Sequence, residues 1–200
     1  MPAISLDYEN LLWDKGQVPA GVDEAGRGPL AGPVVAASVI LSKEYPIEGL
    51  NDSKALKPGK RSELFDIILD KSVSFAVGIV ENDIIDKINI LQATIKAMED
   101  SILGLEVKPD HVYIDGNRPT TLEISQQTIV KGDTKCQSIA AASIIAKVTR
   151  DRIMEELDKI YPQYGFLKHK GYPTKAHYEA IMRHGPSPVH RLSFRGVQTK

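Results

Sequence analysis

The sequence lacks several features that would place it in a specialised class of protein. It contains a single cysteine, Cys136, which rules out an intramolecular disulfide framework, and it has no Cys/His spacing typical of structural zinc. No apolar run approaches the roughly 18 residues that a membrane-spanning helix needs. Residues 1–5 lack the basic and apolar stretches of a secretory signal. These absences predict a cytoplasmic protein without a membrane contact.

The chain also lacks a strong net charge, but its charges are unevenly distributed. Residues 131–200 contain 13 Lys and Arg against 6 Asp and Glu, a net charge of +7, whereas residues 1–130 carry a net charge of −8. One explanation of this asymmetry is that an acidic part, which attracts metal ions, lies beside a basic part, which binds a polyanion. A solvated surface with uneven charge is the other.

The order of the predicted elements indicates a mixed α/β fold. Stretches rich in branched apolar residues predict strands, and apolar residues at helical spacing predict helices, with Asn82 and Thr174 as candidate N-caps. An initial antiparallel group of strands is followed by alternating strands and helices. The predicted strands cover residues 18–22, 34–41, 75–80, 111–115 and 127–130, and the predicted helices cover residues 60–71, 82–103, 138–160 and 174–184.

The segment 21–33, GVDEAGRGPLAGP, is the most informative part of the chain. Asp23 and Glu24 follow a short apolar run, and Arg27 comes next with a glycine on each side. Carboxylate oxygens bind hard divalent cations, glycines let a backbone approach a ligand closely, and arginine binds phosphate through a fixed fork of donors. The combination predicts chemistry on a phosphodiester.

Further acids are candidates for the same site. Asp115 ends a predicted strand and opens into a Gly-Asn turn, a position at the rim of a sheet. Ser143, Lys147 and Asp151 are spaced four residues apart, so they share one face of a helix. We prefer Asp151 as the fourth acid for this reason, and Asp133, which follows a glycine in a predicted turn, is the rival.

Acids that converge in this way repel one another and raise each other's pKa unless a cation lies between them. Mg²⁺ and Mn²⁺ suit oxygen ligands, and two such ions can support an in-line phosphoryl displacement. Neighbouring residues on a regular strand point to opposite faces, so Asp23 and Glu24 reach one metal centre only if the strand ends or bulges there.

These motifs together resemble those of type 2 ribonuclease H, the bacterial ribonuclease HII family. The first match is long and highly specific, and the matches span about residues 18–195. The matching segments are residues 21–37, 51–54, 113–117, 131–133, 141–152, 171–174 and 185–191, with His177 between the last two.

The resemblance implies a ribonuclease H-like fold, with a mixed five-stranded sheet flanked by helices. It implies a catalytic domain over residues 1–160 and a helical extension over residues 161–200 that completes the substrate-binding groove. The implied activity is endonucleolytic cleavage of the RNA strand of RNA–DNA hybrids, and incision 5′ of single ribonucleotides embedded in duplex DNA. Two Mn²⁺ or Mg²⁺ ions would leave 3′-hydroxyl and 5′-phosphate ends.

The resemblance also implies roles for individual residues, and no role is assigned to His177, His184 or His190. The four metal-binding catalytic acids would be Asp23, Glu24, Asp115 and Asp151. The ribose 2′-hydroxyl would be recognised by Gly26, Arg27 and Gly28, and the sugar on its 3′ side would stack on Tyr172. The other substrate-binding residues would be Lys54, Ser143 and Lys147.

Simpler roles exist for three of these residues. Lys147 has an ion pair with Asp151 as its alternative, Tyr172 has packing against Pro173, and Lys54 is otherwise an ordinary loop lysine. For the whole protein, the alternatives are another nuclease on the same fold, such as a type 3 ribonuclease H or a DNA junction resolvase, and a non-catalytic hybrid-binding protein. We expect a monomer.

Overall fold

Five strands form one mixed sheet in the computed structural model, which describes residues 4–198. The order across the sheet is β3-β2-β1-β4-β5; β1 pairs antiparallel with β2, as does β2 with β3, whereas β1–β4 and β4–β5 are parallel. This is the five-stranded mixed sheet that the resemblance implies. The strands are β1 (Pro19–Ala25), β2 (Val34–Ile40), β3 (Ser74–Val80), β4 (His111–Asp115) and β5 (Ser125–Ile129).

Within the described residues, six α-helices and two short 3₁₀ turns connect and cover the strands. No helix within residues 4–198 is both long and apolar enough to cross a membrane. The helices are α1 (Asp7–Trp13), α2 (Pro58–Lys71), α3 (Asn82–Leu103), α4 (Gln137–Ile160), α5 (Phe166–His169) and α6 (Lys175–His184), and the 3₁₀ turns are Gly132–Thr134 and Pro162–Tyr164.

The two faces of the sheet are buried by different helices. One face packs against α2 and α4, through residues such as Val39, Leu64 and Ile144, and the other packs against α3. Helix α4 lies directly on β1: a Cβ atom on Gly21 would be 2.1 Å from the backbone carbon of Ser138. Only glycine allows this approach, which places the rest of α4 beside the sheet edge where β1 ends.

The sequence-based boundaries lie within a few residues of the observed ones for most of the predicted elements, but two details inside α3 differ from the prediction. Asn82 does not cap the helix, because its side chain donates to the carbonyl oxygens of Pro188 and His190. The helix is also interrupted at Asn89, which has a φ of 67°. The Asn89 side chain accepts from the N–H of Leu91 and so begins a second helical segment. The Thr174 cap is confirmed by its hydrogen bond from the His177 N–H in α6.

Helix α1, which the sequence pattern does not predict, anchors the start of α4. Glu9 is fully buried, and its Oε1 accepts from the backbone N–H of Ser138 at 2.8 Å and from the Ser138 hydroxyl at 2.8 Å. A carboxylate at the N-terminus of a helix satisfies free N–H groups and opposes the positive end of the helix dipole.

Two buried arginines hold the connection between β1 and β2. Arg191 is 0% exposed, and its guanidinium donates to the carbonyl oxygens of Gly26 (2.6 Å), Arg27 (3.1 Å), Pro29 (2.8 Å) and Gly32 (3.0 Å).

Arg150 of α4 makes the same kind of contact with the other end of this connection. It is 1% exposed and donates to the carbonyl oxygens of Ala31 (3.1 Å), Pro33 (3.0 Å) and Lys170 (3.0 Å). We call the two side chains the arginine clamp.

The arginine clamp also bears on the predicted division of the chain at residue 160. Helix α4 ends at Ile160, the predicted end of the catalytic domain, and residues 161–198 contain α5, α6 and the segment with Arg191. Because Arg191 binds the β1–β2 connection, the extension is joined to the sheet through buried hydrogen bonds. The two-domain division itself stays a prediction, and its outer limits at residues 1 and 200 lie outside the described residues.

We expect Arg191→Met to lower the free energy of unfolding by about 3 kcal/mol, because it leaves several buried carbonyl oxygens without a donor. Urea denaturation followed by circular dichroism measures the change. The matched control is Arg195→Met, since Arg195 is exposed in the same segment. Equal stability of the two variants would contradict the structural role of the arginine clamp.

Candidate active site

The acids of the sequence motif lie where β1 and β4 end side by side. The parallel pairing of the two strands stops at Val22 and Ile114, so Asp23 and Asp115 follow at the same edge of the sheet. β1 continues as a regular strand to Ala25, beyond the predicted end at residue 22. β1 needs no bulge to bring Asp23 and Glu24 to the site. Both residues follow Val22, the last residue of β1 that pairs with β4, so both lie beyond the end of that pairing.

Each of these acids makes a local hydrogen bond. Asp23 accepts from the N–H of Glu24 at 2.7 Å, and the Glu24 carboxylate is 3.5 Å from the guanidinium of Arg27. Asp115 accepts from the N–H of Gly132 at 2.6 Å, which holds the turn with Asp133 against the end of β4.

Burial and mutual repulsion disfavour the charged forms of these acids. Asp23 is only 7% exposed, and burial together with the charges of Glu24, Asp115 and Asp133 raises its pKa well above the usual value. Burial also raises the pKa of Glu24; the charge of Arg27 opposes this effect, and the charge of Asp115 adds to it.

Asp133 belongs to the same electrostatic group. Burial raises its pKa, and the charges of Asp115 and Asp52 add to the effect, while Lys54 opposes it. For Lys54, burial alone would lower the pKa of the ammonium, but the carboxylates of Asp23, Asp52 and Asp133 raise it. Lys54 is thus a cation that faces this group of acids, and its role in substrate binding stays a prediction.

The structure places Asp151 in a different environment. Its carboxylate accepts from the Lys147 ammonium at 2.5 Å and lies 3.6 Å from the guanidinium of Arg61. Two cations therefore neutralise Asp151, and the ion pair that was the alternative role for Lys147 is present. Burial lowers the pKa of Lys147, against the effect of Asp151.

A cleft of about 270 Å³ opens over the acids. It brings together nearly all the residues that the sequence nominates, from β1, the β1–β2 connection, the 51–54 loop, α4 and the segment before α6. Its lining includes Asp23, Glu24, Gly26, Arg27, Gly28, Ser53, Lys54, Ser143, Lys147 and Tyr172. Ser143 is buried, and its hydroxyl accepts from the N–H of Ser53 at 3.4 Å, which ties the 51–54 loop to α4.

The backbone of the Gly-Arg-Gly loop is oriented by Arg191. The carbonyl oxygens of Gly26 and Arg27 both point at this buried side chain. In a trans peptide the N–H points opposite to the carbonyl, so the N–H groups of Arg27 and Gly28 point away from Arg191. Gly26 has a φ of +99°, which an L side chain rarely adopts.

The ring of Tyr172 stands over the same loop. A Cβ atom on Gly28 would lie 3.7 Å from the ring, and the guanidinium of Arg150 is 6.0 Å from the ring centroid. Tyr172 is 41% exposed, so one side of the ring faces solvent at the mouth of the cleft.

The donor chemistry of the acid group suits a hard divalent ion, and the repulsion between the acids would be relieved by one. Among residues 4–198, no three His, Cys, Asp or Glu side chains are close enough to hold a metal ion as they are placed. Each acid instead turns to a local donor, such as the Glu24 N–H or Arg27. Metal binding therefore requires these side chains to rotate towards a common point.

A small cavity on the other side of Glu24 contains residues that the sequence reasoning missed. It is lined by Glu24, Arg27 and Asp115, and also by Asn117 and Arg118. The signal was available, since Asn117 belongs to the Gly-Asn turn after Asp115 and Arg118 comes next in the chain.

The roles of Arg150 and Arg191 were also missed. The sequence did contain a signal for Arg150, because it lies between Ala146 and Met154 at four-residue spacing on a buried helix face. An arginine on such a face needs buried acceptors. Nothing comparable marks Arg191, whose acceptors are carbonyl oxygens of residues 26–32.

Comparisons with known proteins identify the family of this chain. The family model described as ribonuclease HII matches residues 20–197. A ribonuclease HII of Aliivibrio fischeri is 58% identical over 182 residues, which cover 91% of this chain and 88% of that protein.

Solved structures show the same fold. The ribonuclease H2 of Pyrococcus horikoshii superposes with a TM-score of 0.75 at 31% identity, covering 90% of this chain and 95% of its own. Bst ribonuclease HIII in complex with Mn²⁺ has a TM-score of 0.67 at 18% identity, over 90% of this chain and 68% of its own, and supports the fold alone. The chain therefore belongs to the ribonuclease HII family and is a nuclease, a hydrolase with ribonuclease H activity.

Proposed function

We propose that this enzyme cuts RNA–DNA hybrids and incises duplex DNA on the 5′ side of a single embedded ribonucleotide. The observation that carries the proposal is the shared cleft: Asp23 and Glu24, the Gly-Arg-Gly loop and Tyr172 all line it. A nucleotide bound in this cleft would therefore contact the loop that recognises its sugar and the acids that support hydrolysis at the same time.

The loop supports recognition of the ribose. The 2′-hydroxyl is the group by which a protein distinguishes RNA from DNA at one position, and it both donates and accepts. The N–H groups of Arg27 and Gly28 can donate to it, and the absence of side chains at Gly26 and Gly28 leaves room for a close approach. Tyr172 then stacks on the sugar at the 3′ side, as the ribonuclease HII resemblance implies.

The acids support hydrolysis with divalent ions, Mn²⁺ or Mg²⁺. When bound, two such ions would activate a water and stabilise the leaving 3′ oxygen, which gives a 3′-hydroxyl and a 5′-phosphate. The protein's part is to supply carboxylates at the ends of β1 and β4 and to hold the scissile phosphate over them. Lys54 and Arg27 face this phosphate position as cations that read no sequence.

We assign the fourth acid to Asp133 rather than to Asp151. Beyond burial, the charge of Asp115 contributes to the raised pKa values of both Asp23 and Asp133, which supports Asp133 as a member of the acid group. Asp151 is already paired with Lys147 and Arg61. Its role in this proposal is to hold Lys147 at the wall of the cleft beside Ser143.

We expect cleavage of a DNA duplex that carries one ribonucleotide, only with Mn²⁺ or Mg²⁺ present. Denaturing gel electrophoresis of an end-labelled strand maps the cut, which should fall 5′ of the ribonucleotide and leave a 3′-hydroxyl. The all-DNA duplex of the same sequence is the control. Cleavage of RNA–DNA hybrids without any cut at the single ribonucleotide would overturn the proposal that the enzyme incises DNA at single ribonucleotides.

We expect Asp133→Asn to lower the cleavage rate by about a hundredfold or more, because it removes a charge that holds the metal ions. Asp151→Asn should lower it by less than about tenfold, since Asp151 acts through Lys147. Single-turnover cleavage at saturating enzyme measures both variants. The reverse order of the two effects would reinstate Asp151 as the fourth acid.

We expect Asp23→Asn to abolish cleavage and yet raise the free energy of unfolding by about 1 kcal/mol in EDTA at pH 7. The raised pKa means that the folded protein holds the Asp23 proton more tightly than the unfolded chain does. Stability from wild-type Asp23 is therefore present at acid pH and is lost as pH rises through the folded pKa.

The gain from Asp23→Asn should accordingly be larger at pH 7 than at pH 4, as measured by urea denaturation at each pH. Asp66→Asn is the control, because Asp66 is exposed on α2. A variant less stable than wild type at pH 7 in EDTA would show that repulsion between the acids does not destabilise the fold.

A further inference from the structure

Three histidines pack together behind Tyr172, and neither the cleavage reaction nor the metal site uses them. The rings of His169 and His177 stack at 4.4 Å with an interplanar angle of 19°, and the centroids of the His177 and His190 rings are 5.1 Å apart. His177 is 0% exposed and His190 is 1% exposed. Burial of these two rings excludes direct contact with a phosphate.

Two of the histidines form a continuous chain of hydrogen bonds, which we call the histidine relay. Ser187 contacts His190 Nδ1 through its N–H at 2.9 Å and through its hydroxyl at 2.7 Å. The Nε2 atoms of His190 and His177 are 3.0 Å apart. His177 Nδ1 then lies 3.0 Å from the carbonyl oxygen of Tyr172.

The two ends of the relay determine where its hydrogens lie. A carbonyl oxygen only accepts, so His177 Nδ1 must carry a hydrogen and donate it to Tyr172. A backbone N–H only donates, so His190 Nδ1 must be the acceptor for Ser187. The hydrogen between the rings then belongs to His190 Nε2, and His177 Nε2 accepts it.

This pattern is consistent only with two neutral rings. A proton added to His177 would place two N–H groups against each other at the 3.0 Å contact between the rings. Burial agrees with this pattern: it lowers the pKa of His190 to about 4, with a contribution from His177, and it also lowers the pKa of His177. All hydrogens point the same way, and hydrogen bonds in such a chain polarise one another.

The relay ends on the backbone that carries the sugar-stacking ring. The carbonyl oxygen of Tyr172 also accepts from the N–H of Thr174 at 2.9 Å, and the N–H of Tyr172 donates to the carbonyl oxygen of His169 at 2.8 Å. Since one side of the Tyr172 ring faces solvent, the ring direction depends on how firmly this backbone is held. The other end of the relay lies beside the β1–β2 connection. Arg191 follows His190 in the chain, and its backbone N–H donates to the carbonyl oxygen of Leu30 at 2.8 Å.

We propose that His177 and His190 are positioning residues that hold the Tyr172 backbone so that its ring stands over Gly28, and that they thereby favour single-ribonucleotide substrates. The inference rests on the proposed function, in which Tyr172 stacks on the sugar 3′ of the ribonucleotide. A continuous RNA strand offers many equivalent positions for cleavage, whereas a single ribonucleotide must be held at one. Loss of the relay therefore affects the single-ribonucleotide substrate more.

The tautomers of the relay can be measured without any cleavage. Long-range ¹H–¹⁵N correlation spectra of the wild-type protein at pH 7 report which ring nitrogen carries the hydrogen. We expect the Nδ1–H form for His177 and the Nε2–H form for His190, both neutral. A charged ring, or either tautomer reversed, would overturn the relay whatever the enzyme cleaves.

A double-mutant cycle tests the link to Tyr172. We expect His177→Phe to lower kcat/KM for the single-ribonucleotide duplex by roughly three- to tenfold, the range that one neutral hydrogen bond supports, with a smaller effect on an RNA–DNA hybrid. In a Tyr172→Ala background, His177→Phe should leave the ratio of the kcat/KM values for the two substrates unchanged. His177→Asn should restore part of the loss, because its amide nitrogen can donate to the Tyr172 carbonyl.

The control for these variants is His184→Asn, since His184 is exposed on the same helix. Equal losses on both substrates, or effects that simply add in the Tyr172→Ala background, would mean that His177 only stabilises the fold. If His177→Phe does not fold, the cycle is run with His177→Asn. Failure of the wild type to cut at a single ribonucleotide would instead refute the proposed function, and the spectra would still decide whether the relay exists.

Discussion

The arginine clamp determines the shape of the active-site cleft. Arg150 and Arg191 are buried and form no ion pair within residues 4–198, and their donors bind carbonyl oxygens, most of them between Gly26 and Pro33. A buried guanidinium is stable only if its donors are bound, so these carbonyls must point inward. In the two peptides that begin with the carbonyls of Gly26 and Arg27, the N–H groups then point away from Arg191. The clamp also joins the C-terminal segment to the sheet, which brings Tyr172 and the histidine relay to the loop.

The acid group works against stability in the same region. Asp23, Glu24 and Asp115 lie at the ends of β1 and β4, and Asp133 lies in the 3₁₀ turn that packs against β4; burial and mutual repulsion raise the pKa values of Asp23, Glu24 and Asp133. A protein selected only for stability would avoid this arrangement, whereas a divalent ion would reverse its cost. The rigid clamp on one side of the cleft thus lies beside an acid group that stays under electrostatic strain until cations neutralise it.

Local patterns predicted most of the fold because they depend on short-range physics. The strand 111–115 and the Thr174 cap follow from alternation and capping preferences within a few residues. The errors occur where a distant group competes with the local preference. Asn82 has the composition of an N-cap, but carbonyl oxygens of Pro188 and His190 take its side-chain donors. The choice of Asp151 as the fourth acid stays a prediction; it shares a helix face with Ser143 and Lys147, as its spacing predicts, and it forms ion pairs with Arg61 and Lys147.

The opening motif by itself determined the family, the class of reaction and most of the cleft lining, because its acids, glycines and arginine each have a restricted chemistry. Only the tertiary structure decided which acids meet. Asp133 reaches Asp115 because β4 and the 3₁₀ turn after β5 close on each other, with Gly132 donating to Asp115 at 2.6 Å. The partners of Arg191 and His177 were likewise invisible in the sequence. Their acceptors are backbone carbonyls and a second ring, groups that residue spacing does not encode and that only the folded chain brings within hydrogen-bonding distance.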